Sequence, residues 1–201
     1  MGFLMTNCVV LQSLVIDSMM AIKALPSWPS LQMLSLRCCA ALTDISTLAS
    51  CVSLHTLELT FCYSLRDISA LASCIALKAL NLSRCPVLSD ISALQSCVSL
   101  EALNLSNCGS VWEISPMASL VSLCSLDLSF CCSLSDILAL ASCVSLQTLD
   151  LSHCGPLSDV SPLSSCIALR TVRLAGFDSS LDVSALTSSS VSLQLILDLG
   201  D

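Results

Sequence analysis

Residues 145–167 read SLQTLDLSHCGPLSDVSPLSSCI, and this stretch decides the fold. It is one copy of a unit of 23 residues. Complete copies of the same length begin at Ser30, Ser53, Ala76, Ser99, Ser122 and Ser145. A longer copy begins at Ala168, and a shortened, diverged one at Val10. A fixed period in this range marks a solenoid, in which each unit packs only on its neighbours.

Within the unit, counted from its first residue, positions two, five and seven are apolar in every copy. They are Leu146, Leu149 and Leu151 here, and Leu54, Leu57 and Leu59 in an earlier copy. Five and seven have the period of a strand with one buried face. Position ten is Cys39, Cys62, Cys85, Cys108, Cys131 and Cys154 in successive copies, and position thirteen is Leu or Val from Leu42 to Leu157. The second half reads D-[IV]-S-x-L-x-x-C-[VI]. Its inward columns run from Ile45 to Val183 and from Leu48 to Leu186. Pro116 and Pro162 directly follow Ser, and Pro is favoured at the first helical position with Ser as the N-cap. A short helix or 3₁₀ turn is therefore expected from that Ser.

The pattern L-x-x-L-x-L-x-x-C-x-x-L resembles the signature of leucine-rich repeat proteins, with Cys in the Asn/Cys slot. The resemblance covers nearly the whole chain. It implies an α/β, right-handed leucine-rich repeat solenoid shaped as a horseshoe or arc. A parallel β-sheet would line the concave face, with short helices or 3₁₀ turns on the convex side. The D-I-S-x-L half resembles internalins and phosphatase-regulating repeat proteins. The L-x-x-C and S-C-[VI]-S-L elements resemble the cysteine-containing repeats that follow F-box motifs in ubiquitin-ligase subunits. The run LDLSHCGPLSDVSPLSS is similar to repeats of kinetoplastid leucine-rich repeat proteins.

The whole chain, 1–201, reads as one domain. Residues 1–29 hold a diverged N-terminal repeat, 30–167 six regular repeats, and 168–201 a diverged C-terminal repeat and a partial strand. Residues 1–9 look like the tail of a unit, with Cys8 in a repeat slot. Met1-Gly2 with Thr6 matches the loose myristoylation pattern, but Phe3 suits it poorly. Lys23, Pro26, Trp28 and Pro29 mark a different loop. Neither end reads as a cap, so the chain is expected to belong to a longer array. End-to-end self-association through uncapped ends is the competing expectation.

Composition narrows function. The chain is 55% hydrophobic with a mean hydropathy of +0.88. Ser, Asp or Asn recurs too often for a run of about 18 apolar residues, so no membrane span is expected. Net charge is −8, with no basic cluster to meet phosphates, which argues against nucleic acid. Seven of the 15 acids occupy position fifteen: Asp44, Asp67, Asp90, Glu113, Asp136, Asp159 and Asp182. Each is expected to accept N–H bonds at the start of the turn that follows. Most of the 15 cysteines are register, at positions ten and twenty-two. An odd number on strict ladders suits free thiols and a cytoplasmic, reducing location. No C-x-x-C pair occurs, and no metal or cofactor is expected.

The expected function is a non-enzymatic protein–protein interaction scaffold reading a partner along the concave strip. Position eight is mostly Ser or Thr and should point to that face with positions four and six. Position six varies in charge: Ser35, Glu58, Asn81, Asn104, Asp127, Asp150 and Arg173. Position nine, on the rim, carries Phe61, Arg84, Asn107, Phe130 and His153. Aromatic and Arg anchors at exposed columns suit a protein interface. Asp150, Ser152 and His153 are close in sequence, but a strand fixes no base-to-nucleophile contact, so no catalytic residues are assigned. The resemblances also allow a ubiquitin-ligase substrate adaptor or a surface adhesion protein.

Overall fold

The computed structural model describes residues 11–17, 25–177, 181–187 and 194–196. The readings of residues 1–9 lie outside that set. Each alternating apolar run forms a strand: β1 (Ser13–Asp17), β2 (Met33–Arg37), β3 (Thr56–Glu58), β4 (Ala79–Asn81), β5 (Ala102–Asn104), β6 (Ser125–Asp127), β7 (Thr148–Asp150), β8 (Thr171–Arg173) and β9 (Gln194–Ile196). They make one parallel sheet in sequence order. The register puts like on like, so Leu57, Leu80, Leu103, Leu126, Leu149 and Val172 form one column. The shortened first copy joins the ladder by pairing Ser13 with Met33. At the other end Val172 pairs with Leu195. The offset there is 23 residues, the same as between the regular units.

Turns of 3₁₀ helix at Ser46–Ser50, Ser69–Ser73, Ser92–Ser96, Ser115–Ser119, Leu138–Ser142 and Ser161–Ser165 return the chain after β2 to β7. One α turn, Ser184–Thr187, does so in the last unit. Between these two layers lies one continuous core. Leu42, Leu48, Leu59, Cys85, Leu94 and Leu105 are fully enclosed, and Trp28 and Leu25 cover its first-unit side.

The recurring Asp sits two residues before the first helical residue and caps it. Asp44, Asp67, Asp90, Glu113, Asp136, Asp159 and Asp182 each accept the backbone N–H two residues on, at 2.7–2.9 Å. The expected N-cap role of Ser is thereby corrected. Ile45 and its equivalents hold the cap position, and Ser is the first residue of the turn. The Leu138 N–H donates the same bond to Asp136, so the carboxylate suffices without Ser. The Ser N–H, then its hydroxyl, holds the Asp44, Asp67, Asp90 and Asp159 carboxyls below the usual carboxylate range.

The cysteine ladders tie unit to unit. Cys108 Sγ donates to the Leu82 carbonyl at 3.1 Å and Cys131 Sγ to that of Leu105 at 3.3 Å, both one unit back. In the second column Cys74 and Cys97 do the same to Leu48 and Leu71 at 3.4 Å. Every described cysteine is a free thiol. Burial pushes Cys62, Cys74 and Cys154 up to about 12, and Cys97, Cys108, Cys143 and Cys166 up to about 11.

Candidate interaction surface

The outward face of the sheet is built from positions four and six. Positions four are small in the middle of the array: Thr56, Ala79, Ala102 and Ser125. They leave a groove of about 320 Å³ across four strands, bordered by Glu58, Asn81, Asn104 and Asp127. These small residues carry no sequence signal, because filler on a strand has no pattern of its own.

Position six also ends its strand. Asn81 Oδ1 accepts the Ser83 N–H at 2.9 Å, and Asn104 Oδ1 that of Ser106 at 2.8 Å. Asp127 Oδ1 takes both the N–H and the hydroxyl of Ser129, at 2.9 and 2.7 Å, and Asp150 Oδ1 the Ser152 N–H at 2.9 Å. A backbone N–H only donates, so each amide turns its oxygen inward and leaves Nδ2 for the open face. The column therefore offers donors at Asn81 and Asn104, then acceptors at the second oxygens of Asp127 and Asp150. Glu58 is engaged by the Ser35 hydroxyl at 2.7 Å and the Arg37 guanidinium at 3.0 Å, which hold its carboxyl low. Arg173 reaches Asp150 only at 4.0 Å.

At position eight Thr60, Ser129 and Ser152 are 8–9% exposed, while Ser83 and Ser106 are half-buried. At position nine the backbone turns left-handed. Cys38, Phe61, Arg84, Asn107, Phe130 and His153 have φ between 58° and 60°, and Gly176 has φ 78°. The turn sends the position-ten Cys inward. It survives because each position-nine N–H from Cys38 to His153 is bonded to the next unit, as Phe130 N–H is to the Ser152 carbonyl at 2.8 Å. Asn107 and Gly176 in one column were the sequence signal, since those residues favour this backbone.

Along the rim Phe61 packs with Arg84, and Phe130 with His153. The Arg84 guanidinium lies 4.9 Å from the Phe61 ring centre, and Tyr63 meets that ring edge-on at 6.2 Å. Phe130 and His153 stack at 4.4 Å. Phe130 is still 44% exposed. Of the predicted residues, Glu58, Asn81, Asn104 and Asp127 border the groove, and Asp150 and Arg173 continue its column. Phe61, Arg84, Asn107, Phe130 and His153 form the parallel rim. The Asp150, Ser152 and His153 trio is occupied in structure. Ser152 Oγ accepts the Ala175 N–H at 3.3 Å, and the His153 ring faces Phe130. Among the described residues, no group of three His, Cys, Asp or Glu side chains is placed to hold a metal ion, and no helix is long and apolar enough to cross a membrane.

A sheet ladder of this kind, with one 3₁₀ turn per unit, defines a class, and comparison with known proteins agrees. The family described as Leucine Rich repeats (2 copies) matches residues 121–165. An internalin of Listeria monocytogenes, InlF, superposes with a TM-score of 0.75 at 24% identity, over 86% of this chain and 50% of that one. Internalin C2 of the same organism gives 0.52 at 25% identity, over 78% and 76%. A leucine-rich repeat protein of Leptospira interrogans gives 0.61 at 19% identity, over 86% and 49%. The chain thus spans about half the length of two of these proteins. No curated protein matches it by sequence. The chain has the leucine-rich repeat fold, with the family's repeats matched at residues 121–165, and solenoids of this fold present extended binding surfaces.

Proposed function

We propose that the chain binds an extended segment of a protein partner across the groove, anchored on the rim. One observation carries this reading. Four bulky residues, Phe61, Arg84, Phe130 and His153, occupy a left-handed backbone that Gly or Asn would fill with less strain. Each costs on the order of 1 kcal/mol there. Mutual stacking offsets part of that cost and leaves an aromatic and cationic edge facing solvent beside a groove. The groove supplies the polar part of recognition: amide donors at Asn81 and Asn104 suit peptide carbonyls, and Asp127 and Asp150 suit a basic side chain.

The compartment follows from the thiols under this proposal. Buried cysteines that bond carbonyls as thiols favour a reducing, cytoplasmic setting over surface adhesion. A ubiquitin-ligase adaptor would use the same face for its substrate.

Panning a random peptide library displayed on phage tests the proposal. The parent chain should enrich peptides carrying a basic residue, and Phe61→Ala with Phe130→Ala should lose them while keeping its melting temperature. Clones that bind the double variant as well as the parent refute it.

A further inference from the structure

A second surface lies away from the groove, where each 3₁₀ turn hands over to the next strand. Position twenty-three carries Val52, Ile75, Val98, Val121, Val144 and Ile167. They are 45–73% exposed. Each sits at the apex of a tight turn closed by a bond from position two to position twenty-two, as from Leu100 N–H to the Cys97 carbonyl at 2.9 Å and from Leu146 N–H to that of Cys143 at 3.0 Å. A turn apex favours Gly, Pro, Asn, Asp or Ser and gains nothing from a β-branched apolar side chain. The core cannot claim these residues either, because the apex faces solvent by construction. Six breaches of a local rule in one column mark a surface shaped by something outside the unit.

We propose that this ridge is the interface through which two copies of the chain associate side by side, antiparallel. Three features specify a second copy. The first is period. Stacked units repeat about every 4.8 Å, so the ridge is about 24 Å long, and only a partner with the same repeat interdigitates along all of it. A helix, advancing about 5.4 Å per turn, drifts out of step. The second is charge. Positions twenty, twenty-one, twenty-three and one are uncharged from Ala49 to Ala168, in a chain of net charge −8. Two copies can meet on this band without opposing their acidic columns. The third is area. Six such side chains expose on the order of 500 Å², the upper end for one patch on a monomer. Two ridges together bury about 1,000 Å², the threshold for a specific interface. A two-fold axis then falls between Val98 and Val121, so that Val98 of one copy opposes Val121 of the other.

Sedimentation equilibrium in reducing buffer tests the pairing. The parent chain should shift from monomer to dimer mass within about 1–200 µM, the range of a small interface. Val98→Lys with Val121→Lys should weaken the dimer roughly 100-fold, because lysines at the axis bury unpaired charge. Val98→Ser with Val121→Ser should also weaken it, with no charge added, and circular dichroism should match the parent for both. A parent that stays monomeric across the range overturns the proposal, and the ridge then serves a partner of another kind. So does a dimer unaffected by the serine pair, which would place association elsewhere, as at the ends of the array.

Discussion

Asp90 tests how the acidic column is used. Its Oδ1 accepts the Ser92 N–H at 2.8 Å, at the start of the Ser92–Ser96 turn. Asp90→Ala removes that acceptor. Ser92 is exposed, so water can reach the orphaned N–H, and the loss should stay within about 1–2 kcal/mol, as for other caps. Asp90→Asn keeps an acceptor oxygen and removes the charge. It also relieves Asp67, whose carboxyl Asp90 raises slightly by repulsion. Its cost should be at most about 1 kcal/mol and below that of alanine. Acid gives the same ranking by linkage. The folded Asp90 carboxyl titrates below its unfolded value, so its contribution is complete above about pH 4 and is lost as pH falls further. The gap between parent and asparagine variant should therefore close below about pH 4. Urea unfolding of the three proteins, with and without calcium, is the assay. If asparagine costs as much as alanine, charge and not hydrogen bonding holds the turn. If calcium stabilises the parent and that gain vanishes in both variants, the column binds ions and the capping account fails.

Other consequences can be checked separately. Leu103 is 2% exposed between Leu80 and Leu126 in the strand column, so Leu103→Ala should cost about 2–5 kcal/mol. Hydrogen exchange should show protection lost mainly in the flanking units, and uniform loss along the array would contradict nearest-neighbour stability. Alkylation of the native protein should modify the exposed Cys132 first, while thiols such as Cys62, buried and raised to about 12, stay unreactive. After unfolding without reductant all 15 cysteines should react, and protected pairs would point to an oxidising compartment. Gly176→Ala places a Cβ on a left-handed backbone and against the His153 ring, and should destabilise by about 1–2 kcal/mol. In a His153→Ala background the steric part should disappear, and an undiminished loss would show that the backbone alone is responsible.

The ladder was legible because a period of 23 residues repeats every contact. Once Leu57 is inward, Leu80 and Leu103 must be inward too, and the sheet order follows from the chain order. The burial of Cys85, Cys108 and Ile91 was equally readable, since a solenoid core accepts one residue type per column. The start of each 3₁₀ turn could be read from the recurring D-[IV]-S. Its cap could not, because Ser and Asp are both good caps and only coordinates show which oxygen meets the N–H. The candidate surface was legible in its columns and not in its detail. Position nine was recognised as variable, but its left-handed backbone was not, because Phe61, Arg84, Phe130 and His153 do not favour the conformation they adopt. That conformation follows from the need to turn each strand into the core within one residue, which the stacked units impose together. Neither the groove over Ala79 and Ala102 nor the ridge from Val52 to Ile167 could be read from composition. Both exist only when small or apolar residues 23 positions apart are brought within one strand spacing of each other.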